Sequence, residues 1–116
     1  MDVWSVDDDA CWLDRTRRFL ASERLRINQL VEWQEFRQTS FELVLHDLGS
    51  MATRESTLPA ALSIVRPGGV LVLDDLQFPS YRGCVEKTLA ATGTAHVSAR
   101  QMTYDVIGRY SWVAFA

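Results

Sequence analysis

The chain has 116 residues, 47% of them hydrophobic and 23% charged, with a formal net charge of −3. Such a composition describes an ordinary globular protein with one core, and it disfavours nucleic acid, anionic membranes and phosphate-rich partners. No apolar run approaches the length of a membrane span, and the acidic start "MDVWSVDDDA" does not read as a signal peptide. The two cysteines, Cys11 and Cys84, lack metal or redox spacing, so free thiols in a reducing cytoplasm are expected. The sequence shows no internal repeat and no low-complexity linker.

"DVWSV" (2–6) is a short apolar run that ends in acid. From Ala10 to about Ala21 the periodicity predicts a helix with Trp12, Leu13, Thr16, Phe19 and Leu20 on one side. Asp7, Asp8 and Asp9 stand at its start and Arg15, Arg17 and Arg18 further on, the charge order a helix dipole favours. One of the three aspartates is expected to cap it. "RINQLVEW" (26–33) is a weaker strand candidate and "FELVLHDL" (41–48) a stronger one. A second helix is predicted over Arg54 to Val65, with Leu58, Ala61, Leu62 and Val65 on one face, stopped by Pro67-Gly68-Gly69. "VLVLDD" then reads as a buried strand. A third helix is predicted from about Tyr81 to Ala91, with Tyr81, Val85, Thr88 and Leu89 facing inward and Gly93 closing it. "TAHVSAR" and "RYSWVAFA" read as two strands antiparallel to each other, with no helix between them.

Strand–helix alternation predicts an α/β protein: a Rossmann-like, mostly parallel sheet with helices on both faces and an antiparallel C-terminal strand. Three of the strands end in acid, at Asp7, Asp47 and the Asp74–Asp75 pair. Right-handed crossovers place parallel strand ends on one edge, so these carboxylates are expected to gather where such folds bind ligands. Gathered carboxylates need a cation, a proton or a hydrogen-bond donor between them. An all-oxygen set suits Mg²⁺ or Ca²⁺ rather than zinc, which makes Asp47, Asp74 and Asp75 a candidate metal set. The alternative is that each acid caps the helix after its strand. Asp7 sits where nucleotide-binding folds place the acid that accepts ribose hydroxyls; Asp8 and Asp9 could do the same or cap.

His46 adjoins Asp47, but strand alternation turns its side chain to the opposite face, which favours a partly buried strand histidine over a base. His96 has no motif around it. Tyr81 and Arg82 follow the aspartate pair and could touch an acceptor, although helical spacing places Tyr81 in the core. Trp4, Trp12, Trp33 and Trp112 read as packing residues, with Trp33 a weaker candidate for an adenine contact.

"FELVLHDLGS", a helix, and then "VRPGGVLVLDD" together resemble the later half of class I S-adenosylmethionine-dependent methyltransferases. Those proteins carry an acid after their fourth strand and often L-x-P-G-G before the fifth. "VWSVDDDACWLDRTRRFL" is similar to their second strand and the helix after it, and "RYSWVAFA" resembles their final antiparallel strand. One aspartate after the fourth strand and an Asp-Asp after the fifth resemble the metal-dependent O-methyltransferases of catechol and macrocin type. The resemblance implies a cytoplasmic enzyme that uses S-adenosylmethionine to methylate a small-molecule hydroxyl. It implies that Asp7 and Asp8 meet the cofactor, and that Asp47, Asp74 and Asp75 hold Mg²⁺ with Asp47 catalytic. The family's first strand and glycine-rich loop would precede Asp7 and are not found, and no lysine follows Asp47, where Leu48, Gly49 and Ser50 stand. The expectation is one methyltransferase-like domain over 1–116, incomplete at its N-terminus: either a second copy, a partner or a rearranged pairing fills the place of the missing strand, or the domain is an incomplete remnant.

Two other readings stand beside it. One is a phosphoreceiver, in which Asp8 and Asp9 hold Mg²⁺ and Asp47 accepts phosphate. Against it, "TAHVSARQM" has no lysine, the chain ends in a strand, and Asp74 and Asp75 have no role. The other is a catalytically inactive interaction subunit with exposed strand edges.

Overall fold

A computed structural model describes residues 3–24, 29–38 and 40–116. The chain divides into two compact units, Met1–Arg37 and Gln38–Ala116.

In the first unit, β1 (Trp4–Asp7) pairs in parallel with β2 (Gln29–Glu32), Trp4 opposite Gln29 and Asp7 opposite Glu32. Helix α1 (Ala10–Ser22) lies between them in sequence, as a parallel pair requires a crossover. Asp9 is its cap: the Asp9 side chain accepts the Cys11 N–H at 2.8 Å. Asp14 pairs with Arg17 and Arg18 one turn on. On the predicted apolar side Leu13 is buried, but Trp12 and Phe19 are exposed. Trp12 is therefore not a core residue; the Arg15 guanidinium lies over its ring, 4.9 Å from the centroid, a surface cation–π contact. After β2 a 3-10 turn, Trp33–Glu35, brings Trp33 onto Phe36 (6.1 Å between centroids, stacked), and Trp4 meets Phe36 edge-on at 5.9 Å. Residues 2 and 26–28 of the two predicted strands lie outside the described residues.

The second unit runs β3 (Phe41–His46), α2 (Met51–Ser63), β4 (Val65–Leu73), α3 (Pro79–Thr92), β5 (Ala95–Ser98), α4 (Arg100–Thr103) and β6 (Trp112–Phe115). The sheet order is β3-β4-β6-β5, with β3 and β4 parallel and β6 antiparallel to both of its neighbours. The chain is thus a Rossmann-like mixed α/β protein whose C-terminal strand runs antiparallel, as expected. The single-turn helix α4 separates the last two strands where none was expected, since four residues are too few to show a period.

Ser50 caps α2 by accepting the Thr53 N–H at 3.2 Å, so the helix starts ahead of Arg54. It ends at Ser63, and Val65 belongs to β4. Pro67-Gly68-Gly69 does not stop the helix but makes a bulge inside β4. Phe41 faces Val65, yet Leu43 already faces Val70. Proline cannot donate to a ladder and is tolerated where the ladder is broken. The bulge also fastens the C-terminus: Gly68 donates to the Ala116 carbonyl at 2.8 Å and Ala116 donates to the Gly69 carbonyl at 3.1 Å.

Alternation in β4 sends Leu71 and Leu73 into the core with Leu58 and Ala61 of α2, Tyr81, Val85 and Leu89 of α3, and Ala114 of β6. Pro79 opens α3 and Gly93, at φ +65°, closes it in the left-handed conformation. The other face of this sheet carries Leu43 and Leu45 of β3, both more than half exposed, beside Val97 and Phe115.

The bulge yields a stability prediction. A Cβ on Gly69 would lie 2.8 Å from Val65 Cγ1, 2.9 Å from the Arg66 carbonyl and 3.0 Å from the Glu42 carbonyl, whereas one on Gly68 meets nothing within 4 Å. Gly68 is held instead by its backbone, at φ +79°. Gly69→Ala is expected to cost about 2 kcal/mol or more through overpacking, and Gly68→Ala about 1 kcal/mol through its left-handed conformation. Urea unfolding of the two variants ranks them, and equal midpoints would contradict the bulge.

Candidate functional site

His46 ends β3 and Leu73 ends β4, and the two are paired in register. Asp47 and Asp74 therefore leave adjacent parallel strands on the same rim. Asp75 follows with φ +62°, a left-handed backbone that is uncommon for a residue with a side chain. Asp47, Asp74 and Asp75 each present a carboxylate oxygen, and these oxygens all lie within 4.8 Å of one another. The expected gathering of these three acids is thus present in the second unit.

The cluster is held by donors from α2 and from two loops. Arg54, in the first turn of α2, is buried at 7% exposure. Its Nη2 pairs with Asp47 Oδ1 and its Nη1 donates to Asp75 Oδ2 at 2.8 Å. Gln77 Nε2 donates to Asp75 Oδ1 at 2.9 Å, and the Ser111 hydroxyl, just ahead of β6, donates to Asp74 Oδ1 at 2.7 Å. Arg109 is engaged by Asp105, its Nε donating at 2.7 Å. Burial raises the Asp47 carboxyl above its ordinary range; Arg54 pulls it down, and the neighbouring Asp74 and Asp75 charges raise it further.

Asp47 Oδ2 and Asp74 Oδ2 have no hydrogen-bond partner among the described residues, while both oxygens of Asp75 are engaged. Donors of oxygen alone, two of them open, fit a hard cation such as Mg²⁺, which binds through one or two carboxylates and keeps its remaining positions for water and substrate. No aspartate of the three caps a helix: Ser50 caps α2 and Phe78 stands at the start of α3.

His46 points the other way, into the core, at 4% exposure. Its Nδ1 lies 3.0 Å from the Tyr81 hydroxyl and its Nε2 2.9 Å from the Thr57 hydroxyl. Thr57 donates its one hydroxyl hydrogen to the Thr53 carbonyl at 2.8 Å, so Nε2–H donates to Thr57 and Nδ1 accepts from Tyr81. Burial, assisted by the Arg54 charge, lowers the imidazole to about 4 and keeps it neutral. The packing role expected of His46 and Tyr81 is what the structure shows, with His46 buried more deeply than expected. Arg82 donates to the Tyr110 hydroxyl at 2.9 Å, and His96 stacks on Trp112 with centroids 4.8 Å apart.

Asp7 belongs to the first unit, at the end of β1. Its Oδ1 accepts the Asp9 N–H at 2.9 Å, and Oδ2 has no hydrogen-bond partner among the described residues. Asp8 is exposed in the same turn. Asp9 is occupied as the α1 cap.

Sequence reasoning did not single out Arg54, Gln77 or Ser111. Arg54 carried a usable signal, a lone cation in line with Leu58 and Ala61 on the face of α2 that turns inward. Ser111 reaches Asp74 across 37 residues, a pairing that no local pattern announces.

No family model and no curated protein matches the sequence. Solved structures do match. A methyltransferase from Pyrococcus furiosus superposes with a TM-score of 0.75 at 14% identity, covering 98% of this chain and 62% of that one. This chain has the methyltransferase fold. An O-methyltransferase from Bacillus cereus, in complex with SAH, superposes with a TM-score of 0.67 at 13% identity, covering 98% and 61%. The O-methyltransferase TomG from Streptomyces achromogenes, involved in tomaymycin synthesis and in complex with SAM, gives 0.64 at 13%, covering 98% and 60%. The chain spans less than two thirds of the length of each. The phosphoreceiver reading is not favoured: receivers are doubly wound with order 2-1-3-4-5, whereas β6 here inserts antiparallel between β4 and β5. Among the described residues no helix is long and apolar enough to cross a membrane.

The buried histidine makes stability depend on pH. The folded imidazole titrates at about 4 and the unfolded one at 6.5, so between those values the unfolded chain binds the extra proton. This contribution is fully present above pH 6.5 and is lost as pH falls towards 4, amounting to about 3 kcal/mol over the window. Urea midpoints across that range, compared with those of His46→Gln, measure it. An imidazole resonance titrating near its ordinary value would refute it.

Proposed function

We propose that the chain serves in S-adenosylmethionine-dependent methyl transfer to the hydroxyl of a small-molecule acceptor, assisted by Mg²⁺ at Asp47, Asp74 and Asp75. The observation that carries this reading is the acidic rim at the ends of β3 and β4, in a fold shared with O-methyltransferases. The complexes with SAH and SAM among those structures support S-adenosylmethionine as the cofactor, and Asp7, with an open oxygen at the end of β1, fits a ribose hydroxyl. Asp8, beside it, is the second cofactor residue of the reading.

S-adenosylmethionine supplies an electrophilic methyl group when bound. The chain's own residues orient the acceptor. Asp47 is half exposed while Asp74 and Asp75 are more enclosed, so an acceptor hydroxyl reaches Asp47 first. One Asp47 oxygen is held by Arg54, and the open one would meet the cation beside the acceptor hydroxyl. Mg²⁺ held there would lower the hydroxyl pKa. Methyl transfer is an in-line displacement, so the rigid donors Arg54, Gln77 and Ser111 contribute by fixing where the acceptor oxygen sits. β3 pairs on one side alone among the described residues, an edge suited to a strand from a second copy or a partner.

Calorimetry with S-adenosylmethionine tests the reading. The folded chain is expected to bind it saturably, and Asp7→Ala to weaken binding about tenfold or more, the loss of a charge-assisted hydrogen bond. Absence of binding by the folded wild-type chain would reject the enzyme.

A further inference from the structure

Three carboxylates crowd the rim of β3 and β4, and one guanidinium already stands among them. We propose that Arg54 is a resident counter-cation of this rim, a positioning residue that locks Asp75 as an anchor and leaves Asp47 and Asp74 as the carboxylates open to a divalent cation. The inference rests on the metal part of the function proposed above and narrows it: Asp75, with both oxygens engaged, holds Arg54 and is not a ligand of the cation.

Arg54 is more than nine-tenths buried, and its Nε–H has no hydrogen-bond partner among the described residues. A buried donor left unpaired is unfavourable. The side chain stays because Nη1 and Nη2 reach two carboxylates that arrive from different strands. Guanidinium is suited to such bridging, being planar, permanently charged and able to serve two acceptors at once.

Asp75 is committed to this arrangement. Both of its oxygens accept hydrogen bonds, one from Arg54 and one from Gln77, and its backbone takes a left-handed conformation. To turn towards a cation it would have to release a buried arginine, and breaking a buried pair from one side is strongly unfavourable. Asp47 and Asp74 each spend one oxygen on Arg54 or Ser111 and keep the other.

The charge balance has a consequence for affinity. Three carboxylates offset by one guanidinium leave two uncompensated negative charges, and Arg109 is taken up by Asp105. A divalent cation therefore meets a site that it neutralises, but one that is weakened by a fixed positive charge nearby. The rim holds together without the cation, and two carboxylates alone bind Mg²⁺ weakly until an acceptor oxygen completes the coordination. Cation and acceptor are expected to bind cooperatively.

Mn²⁺ is the probe, titrated into the full chain by calorimetry and by its paramagnetic resonance signal. Arg54→Met removes the resident charge. It is expected to tighten Mn²⁺ binding about tenfold or more, to lower the thermal midpoint in cation-free buffer, and to recover that midpoint with Mn²⁺. A residue acting through packing alone would lower the midpoint without tightening the cation. Arg54→Lys keeps the charge but cannot span both carboxylates; it is expected to lower the midpoint while holding Mn²⁺ affinity within about threefold of wild type. Asp74→Asn is expected to weaken Mn²⁺ about tenfold or more. If Arg54→Met does not fold with or without Mn²⁺, the lysine and Asp74 variants decide. Unchanged or weaker Mn²⁺ binding in a folded Arg54→Met, a tenfold change in Arg54→Lys, an unaffected Asp74→Asn, or no saturable Mn²⁺ binding by wild type overturns the proposal. S-adenosylmethionine binding by the same samples is a separate readout. Its loss with the Mn²⁺ pattern intact would sink the methyl-transfer reading and leave the role of Arg54 standing.

Discussion

Asp47 and Asp75 descend from neighbouring strands and would repel each other across a rim that faces solvent. The Arg54 guanidinium, from the first turn of the intervening helix, pairs with both, and the geometry of the rim follows from that contact. It depends in turn on two local decisions. The Ser50 cap starts α2 early enough for Arg54 to sit one turn in, and the register of β3 against β4 sets Asp47 and Asp74 side by side. Each is an ordinary piece of backbone chemistry; together they bring a cation to where repulsion is greatest.

The same strand end serves two environments. Successive side chains on a strand point to opposite faces, so Asp47 joins the polar rim while His46, one residue earlier, enters the core. There its ring nitrogens bridge Thr57 of α2 and Tyr81 of α3, tying both helices to β3. A neutral imidazole suits this role because it can donate at one nitrogen and accept at the other. The Arg54 charge reaches both sides of the strand, since it holds the carboxylates and also disfavours protonation of His46.

The second fastening lies at the opposite end of β4. Arg66–Gly69 bulges out of the ladder, and Gly68 and Gly69 take the C-terminal residue through two backbone hydrogen bonds. Because β6 lies between β4 and β5, anchoring its end steadies the antiparallel half of the sheet. At its other end, Ser111 touches Asp74. The final strand thus joins a structural clamp to the candidate site.

Much of this was legible in the sequence. Alternating strand and helix periods gave the α/β class, Gly93 marked the end of α3, and "FELVLHD" and "VLVLDD" marked strands whose acids had to share a rim once the strands were parallel. Those features are local, or follow from the handedness of one crossover, and local periodicity is what a sequence displays. Tertiary structure decided the rest. It turned Pro67-Gly68-Gly69 from a helix stop into a bulge, because Ala116, just past β6, offers both of its backbone groups to Gly68 and Gly69. It moved Trp12 to the surface under Arg15. It also chose the partners of the carboxylates, since Arg54 meets Asp75 across 21 residues and Ser111 meets Asp74 across 37, pairings that no local pattern announces. Like charges at a rim demand a counter-charge, but only folding determines which side chain arrives to supply it.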